Sequence, residues 1–98
     1  MLFRSVSTLC AMDMCPFEVN GEMFLAVANY YGDSAGNSVR SVLYKWSGSQ
    51  FTRYQEFQTF GALGVEFIVD KGQRYLVFAN SRKSNTNFNV NSFVYKFV

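Results

Sequence analysis

Two stretches of this chain are apolar at every position, Phe24-Leu25-Ala26-Val27-Ala28 and Tyr75-Leu76-Val77-Phe78-Ala79. Each is short and follows a turn pair, Asn20-Gly21 in one case and Lys71-Gly72 in the other. Short apolar runs bounded by turn residues and rich in aromatic and β-branched types are strands rather than helices. A strand with one wet face would alternate apolar and polar, so continuous apolarity predicts burial on both sides. Around these two, the pattern predicts strands over Ala11–Val19, Glu22–Tyr30, Ser41–Trp46 and Phe51–Gln58, then Ala62–Asp70, Arg74–Asn80 and Asn91–Val98. Polar segments separate them: Gly32 to Asn37, Ser47-Gly48-Ser49, and a loop through Asn89. Phe51, Tyr54 and Phe57 fall three apart, which suits a helix as well as a bulged outer strand. The Thr, Tyr and Phe content favours the strand.

The two apolar strands sit at equivalent places in an internal repeat. Residues 1–47 slide onto 52–98 without a gap, a spacing of 51. Thr8 falls on Thr59, Ala11 on Ala62, Gly21 on Gly72, and Leu25 on Leu76. Ala28-Asn29 falls on Ala79-Asn80, Ser41 on Ser92, and Tyr44-Lys45 on Tyr95-Lys96. A period near 50 marks a repeat architecture, in which one unit is a module of a larger assembly. Strands buried on both faces within such a repeat have the environment of β-propeller blades, each lying between neighbours. The expected fold is therefore all-β, with antiparallel four-stranded blades, about two of them in this chain. Repeat 1 is expected over about 8–58 and repeat 2, incomplete, over about 59–98. Residues 1–7 are expected to end a preceding repeat, because Leu2 to Ser7 matches the fourth strand. The same match makes the N-terminus folded structure rather than a signal peptide. A leader, if the parent is secreted, would then lie further upstream, and the chain would be a piece of a longer product.

Composition supports this reading and excludes several others. The 98 residues are 49% hydrophobic and 18% aromatic, which suits a folded strand-rich domain. A net charge of +2 is too mild to argue for nucleic acid. No apolar run is long enough for a membrane helix, so no membrane insertion is expected. The chain has no His, which removes the usual base near neutral pH. Its carboxylates do not recur between the repeats, and no phosphate-cradling glycine motif is present. No enzyme activity, cofactor or metal is expected. There is no Asn-x-Ser/Thr site, so glycosylation offers no evidence for secretion.

Three groups of residues identify a family. The first is Ser-Val-Leu-Tyr-Lys-Trp at 41–46, followed by Phe51 and Gln58-Thr59-Phe60-Gly61-Ala62. The others are Gly21-Glu22-Met23-Phe24-Leu25-Ala26-Val27-Ala28-Asn29 and its partner Gly72 to Asn80. In this order they resemble the EAR repeat (epilepsy-associated repeat, also called EPTP) over nearly the whole chain. The resemblance implies a propeller of about seven such repeats in extracellular proteins, acting as a protein–protein interaction platform. The implied partner is an extracellular or cell-surface protein. Two repeats cannot close a ring, which takes at least about four blades, so further EAR repeats or self-association would be needed. Cys10 stands where the second repeat has Gly61, so that turn differs between the copies.

Candidate functional residues divide by whether they repeat. Trp46 and Phe97 share a scaffold position and are expected in the core between blades. Asn29 and Asn80 both end the second strand; they could line a channel or bind a cation, but Asn at a strand end more often hydrogen-bonds its own backbone to start a loop. Asp33 could join Asn29 on a hard cation, yet its repeat partner is Ser84 and calcium needs six or more oxygens. Cys10 and Cys15 are expected as two buried thiols, because an extended strand between them sends the side chains to opposite faces. Lys71, Arg74, Arg82 and Lys83 make the second repeat basic, a set that could rim an acidic partner but reads first as solvated charge. Tyr30 and Tyr31 have Ser81 and Arg82 as repeat partners, so the scaffold does not demand them. Exposed Tyr anchors interfaces by burying large area with few rotors. The expected protein-binding set is Tyr30, Tyr31, Asp33, Arg82 and Lys83. A carbohydrate-binding propeller, using Trp/Tyr stacking and Asn/Asp hydrogen bonds, is the alternative of a different class.

Overall fold

A computed structural model of the chain describes residues 11–31, 39–82 and 90–97. These form strands β1 (Ala11–Val19), β2 (Glu22–Asn29), β3 (Arg40–Trp46), β4 (Phe51–Gln58), β5 (Ala62–Asp70), β6 (Gln73–Asn80) and β7 (Phe93–Phe97). They build two antiparallel meanders, one ordered β1-β2-β3-β4 and the other β5-β6-β7. No helix occurs among the described residues, and so none long and apolar enough to cross a membrane. The strand expectations hold nearly residue for residue, and 51–58 is a strand. The helix-like spacing of its aromatics has a local cause: Leu43 pairs with Gln55 but Tyr44 pairs with Arg53, so Tyr54 is the extra residue of a bulge. The expected fourth-strand segment at 2–7 lies outside the described residues.

Turn chemistry sets the register in both sheets. Val19 pairs with Glu22, and Asp70 with Gln73, leaving loops of two residues. Asn20 and Gly21 have φ of 51° and 83°; Lys71 and Gly72 have 51° and 77°. Two consecutive left-handed residues make the primed hairpin turn whose twist matches that of the strands. A second shared irregularity follows. Both first strands shift register at the same place, between Ala11 and Asp13 and between Ala62 and Gly64. Pro16, which has no N–H, sits in β1, a strand paired only with β2 among the described residues.

The sheets stack face to face, β5 lying against β1 and β2. One core cluster spans the joint. It holds Phe17, Phe24, Ala26, Leu43 and Phe57 from the first sheet with Val65, Leu76 and Phe78 from the second. Phe17 stacks on Phe67 with ring centroids 4.0 Å apart and planes within 6°. Phe97 meets both Phe17 and Phe24 edge-on, at 5.7 and 5.1 Å. Cys15 is a free thiol packed against this cluster; Cys10 lies outside the described residues. The opposite face of the first sheet carries its own cluster of Val27, Val42 and Tyr44, with Leu25 and Phe51 packed beside it. The expectation of burial on both faces therefore holds for β2. In β6 it holds on one side only: Leu76 and Phe78 are buried, while Tyr75 and Val77 are half exposed and Ala79 is exposed.

Candidate functional site

The described members of the expected binding set, Tyr30, Tyr31 and Arg82, lie at the end of the sheets where β2 leaves for β3 and β6 leaves for β7. The scaffold of this rim is a buried polar network. Asn29, Ser41 and Thr59 are at most 2% exposed. The Asn29 N–H donates to Ser41 Oγ at 3.1 Å, and its side-chain amide donates to the Arg40 carbonyl at 2.9 Å. Ser41 Oγ and Thr59 Oγ1 lie 2.7 Å apart, and Thr59 Oγ1 also donates to the Val39 carbonyl at 3.1 Å. The second sheet repeats the motif: Asn80 N–H donates to Ser92 Oγ at 3.3 Å and its amide to the Asn91 carbonyl at 2.9 Å. Buried polar groups are costly unless paired, and here the pairing locks the exit of one strand to the entrance of the next.

This settles the role of the repeated Asn. Each donates its amide N–H across the polar loop, Asn29 to the first residue of β3 and Asn80 to the segment just before β7, rather than to a loop start of its own. Among the described residues, no group of three or more His, Cys, Asp or Glu is placed to hold a metal. Asn80 does one thing more. Its Oδ1 accepts the Phe60 N–H at 2.9 Å, tying the segment between the sheets to the second rim. The Ser81 N–H donates to the carbonyls of Phe60 and Gly61 at 3.0 and 3.1 Å, and Arg82 N–H reaches Phe60 O at 3.3 Å. Gly61 has φ +56°, and a Cβ there would lie 2.8 Å from Ser81 Oγ. The rim is thus continuous from Asn29 to Arg82.

On this scaffold stand the residues that differ between the copies. Tyr31 is 45% exposed and Tyr30 half-buried, at the end of β2. Arg82 is half-buried at the equivalent place after β6. Asp33 and Lys83 lie outside the described residues. The other two basic residues do not join them. Lys71 and Arg74 flank the β5–β6 turn, at the far end of β6 from Arg82. Six steps along β6 separate Arg74 from Asn80, roughly 20 Å at 3.3 Å per residue, and Arg82 lies two residues beyond. The basic set is therefore split between opposite ends.

Asp13 and Tyr95 carry hydrogen bonds across the joint between the sheets, whereas Trp46 lies outside it. Asp13 Oδ2 accepts the Val65 N–H at 3.2 Å from across the joint, while Oδ1 accepts Met14 N–H at 2.9 Å. Its repeat counterpart is Gly64, and that difference was the available signal. Tyr95 donates its hydroxyl to the Gln58 carbonyl at 3.1 Å, again across the joint, and burial pushes its pKa above the ordinary 10.0. Trp46 does not mirror Phe97 in the joint. It meets Phe51 of its own sheet edge-on at 5.0 Å, on the face turned away from the second sheet. The reason is strand parity: Trp46 follows Val42 and Tyr44 on that face, and Phe97 follows Tyr95 toward the first sheet.

Two sheets alike in strand order, turn conformation, bulge position and rim network, stacked face to face, are consecutive blades of a propeller-type repeat. The chain belongs to the EPTP domain family, the family of the EAR repeat, whose model matches it twice in succession, over residues 2–47 and 50–97. It is similar to the "Thrombospondin-type laminin G domain and EAR repeat-containing protein" of Mus musculus and of Homo sapiens. In each case the identity is 35% over 96 residues, which is 96% of this chain and 14% of the relative. The chain thus spans about one-seventh of the length of the relatives it matches.

Proposed function

We propose that this chain is a non-enzymatic, extracellular protein-interaction module, two blades of an EAR β-propeller whose rim binds another secreted or cell-surface protein. One observation carries the reading. The rim network is duplicated in both blades, Asn29–Ser41 and Asn80–Ser92, while the residues displayed on it are not, Tyr30-Tyr31 against Ser81-Arg82. A constant scaffold presenting variable side chains is how loops carry function on a rigid frame. The carbohydrate alternative loses its best groups, because the amides of Asn29 and Asn80 are committed to backbone carbonyls and Trp46 packs on Phe51.

The partner carries no nucleic acid, since the charge is mild and split between the two ends. It is met outside the bilayer. Fluorescently labelled chain should bind cells, and surface proteolysis should abolish the signal. Tyr30→Ala/Tyr31→Ala should weaken binding by at least about tenfold, the loss of one interface anchor at roughly 1.4 kcal/mol or more. Binding untouched by that double variant would refute the rim assignment. Sugar-specific binding on a glycan array, surviving on protease-treated cells, would reverse the choice of ligand class.

A further inference from the structure

We infer that the cleft where the joint opens, at the end away from the rim, docks an acidic segment of a partner protein. That segment seats an aliphatic side chain in the cleft and sets a neighbouring Asp or Glu on Arg74. The site is independent of the rim. The cleft holds about 180 Å³ between the two sheets, lined by Val19, Glu22, Phe24 and Tyr54 of the first and by Arg74 and Phe97 of the second. Strand parity builds it. Leu76 and Phe78 belong to the joint core, so Arg74, two residues before Leu76, is on the same face where that core ends. Val69 and Phe97 are its cross-strand partners and stand on either side of it. In the first sheet Tyr54 is the bulge residue of β4, and a bulge re-aims a side chain. The Tyr54 ring meets Phe24 edge-on at 5.3 Å, and Phe24 meets Phe97 at 5.1 Å. Both sheets thus give the cleft aromatic walls.

Charge says what fits. The Glu22 carboxylate is taken by Lys45 Nζ at 3.1 Å, and that ammonium lies 5.5 Å from the centroid of the Tyr54 ring. Arg74 is half-buried and forms no ion pair among the described residues. The cleft therefore keeps one uncompensated cation. A guanidinium at an apolar wall selects a carboxylate, which its planar fork can bind through two parallel hydrogen bonds. Apolar area is also left to cover, because Tyr54 is 49% exposed and Val69 61%. An apolar centre with charge at its edge is the anatomy of a protein interface, and Arg and Tyr are its usual anchors. Size selects the form of the ligand. Pockets that enclose a whole small molecule run to about 300–1,000 Å³, whereas this cleft admits one side chain, held in place by the partner that carries it. The repeat does not demand these groups: the counterparts of Glu22, Tyr54 and Arg74 are Gln73, Phe3 and Met23.

Amide NMR spectra of the isotopically labelled full chain, titrated with short synthetic peptides at low ionic strength, test this. The probe peptide carries a leucine flanked by aspartates. Its controls replace the aspartates with asparagines or with lysines, or the leucine with glycine. The acidic leucine peptide should shift the amides of Tyr54, Arg74 and Phe97 and leave those of Tyr30 and Tyr31 in place. Arg74→Gln should weaken it by at least about tenfold, the loss of one hydrogen-bonded charge pair. Arg74→Lys, which keeps the charge and loses the fork, should weaken it less. Tyr54→Ala supplies a second variant at an exposed position, and it should weaken binding while the remaining amides keep their folded dispersion. Tyr30→Ala/Tyr31→Ala should leave peptide binding unchanged, so this site and the rim can fail separately. Three results would overturn the inference: no shift at the cleft, equal shifts from the asparagine or lysine peptide, or unchanged affinity in Arg74→Gln. Equal shifts from sodium acetate alone would mark an adventitious ion only, and would overturn it too.

Discussion

Phe17 and Ile68 occupy the same repeat position, and truncating them should have very different costs. Phe17 is 8% exposed and touches three rings: Phe67 at 4.0 Å, Phe97 at 5.7 Å and Phe24 at 5.5 Å. Two of the three belong to the other sheet. Phe17→Ala removes the ring from a site walled on both sides, so the lost transfer energy and the residual cavity together cost about 3–5 kcal/mol. Ile68 is 40% exposed, and its truncation leaves no enclosed cavity. Ile68→Ala should cost about 1 kcal/mol or less. Domains of this size are stable by only about 5–15 kcal/mol, so the first loss is a large share of the total and the second is not. Urea denaturation followed by circular dichroism reads the difference. With m about 1–3 kcal/mol/M, the midpoint should fall by about 2 M for Phe17→Ala and by about 0.5 M for Ile68→Ala. Phe17→Leu, losing about 1–1.5 kcal/mol, keeps the comparison open if the alanine variant lacks a folded baseline. Equal midpoint shifts for the two alanine variants would refute the claim that one face of the repeat is core in the first blade and surface in the second.

Two further outcomes follow from the joint and the rim. Tyr95→Phe deletes the bond to Gln58 O and should cost about 1 kcal/mol by urea melts at neutral pH. Because burial raises the Tyr95 pKa in the folded state, the unfolded chain gives up that proton first. Stability should hold below about pH 10 and fall above it, and the alkaline fall should be shallower in Tyr95→Phe. Gly61→Ala places a Cβ 2.8 Å from Ser81 Oγ and 3.0 Å from the Arg82 carbonyl at φ +56°, whereas Gly72→Ala at φ +77° meets nothing within 4 Å. Both incur the left-handed penalty of about 1–2 kcal/mol, and Gly61→Ala should exceed Gly72→Ala in thermal melts because of the added clash.

The local architecture of this chain was legible in its sequence because strands and turns are short-range problems. Asn20-Gly21 and Lys71-Gly72 mark two-residue hairpins, and the hairpins fix register, so β1 and β5 begin and end where the pattern puts them. The spacing of 51 gave the equivalence of the two sheets, and the matching bulges at Met12 and Leu63 show how far it reaches. The repeat also separated frame from display, setting Asn29 and Ser41 apart from Tyr30 and Tyr31.

Tertiary structure alone decided which face of each strand meets which neighbour. When both faces of a strand are apolar, alternation cannot say which side is turned inward. Trp46 and Phe97 are equivalent in sequence, yet Phe97 packs in the chain's internal joint and Trp46 on the far face of the first sheet, because each sheet turns a different face to the joint. The Asp13–Val65 and Tyr95–Gln58 bonds, and the passage of the Asn29 amide to Arg40, link groups on different strands and were fixed only when packing brought donor to acceptor.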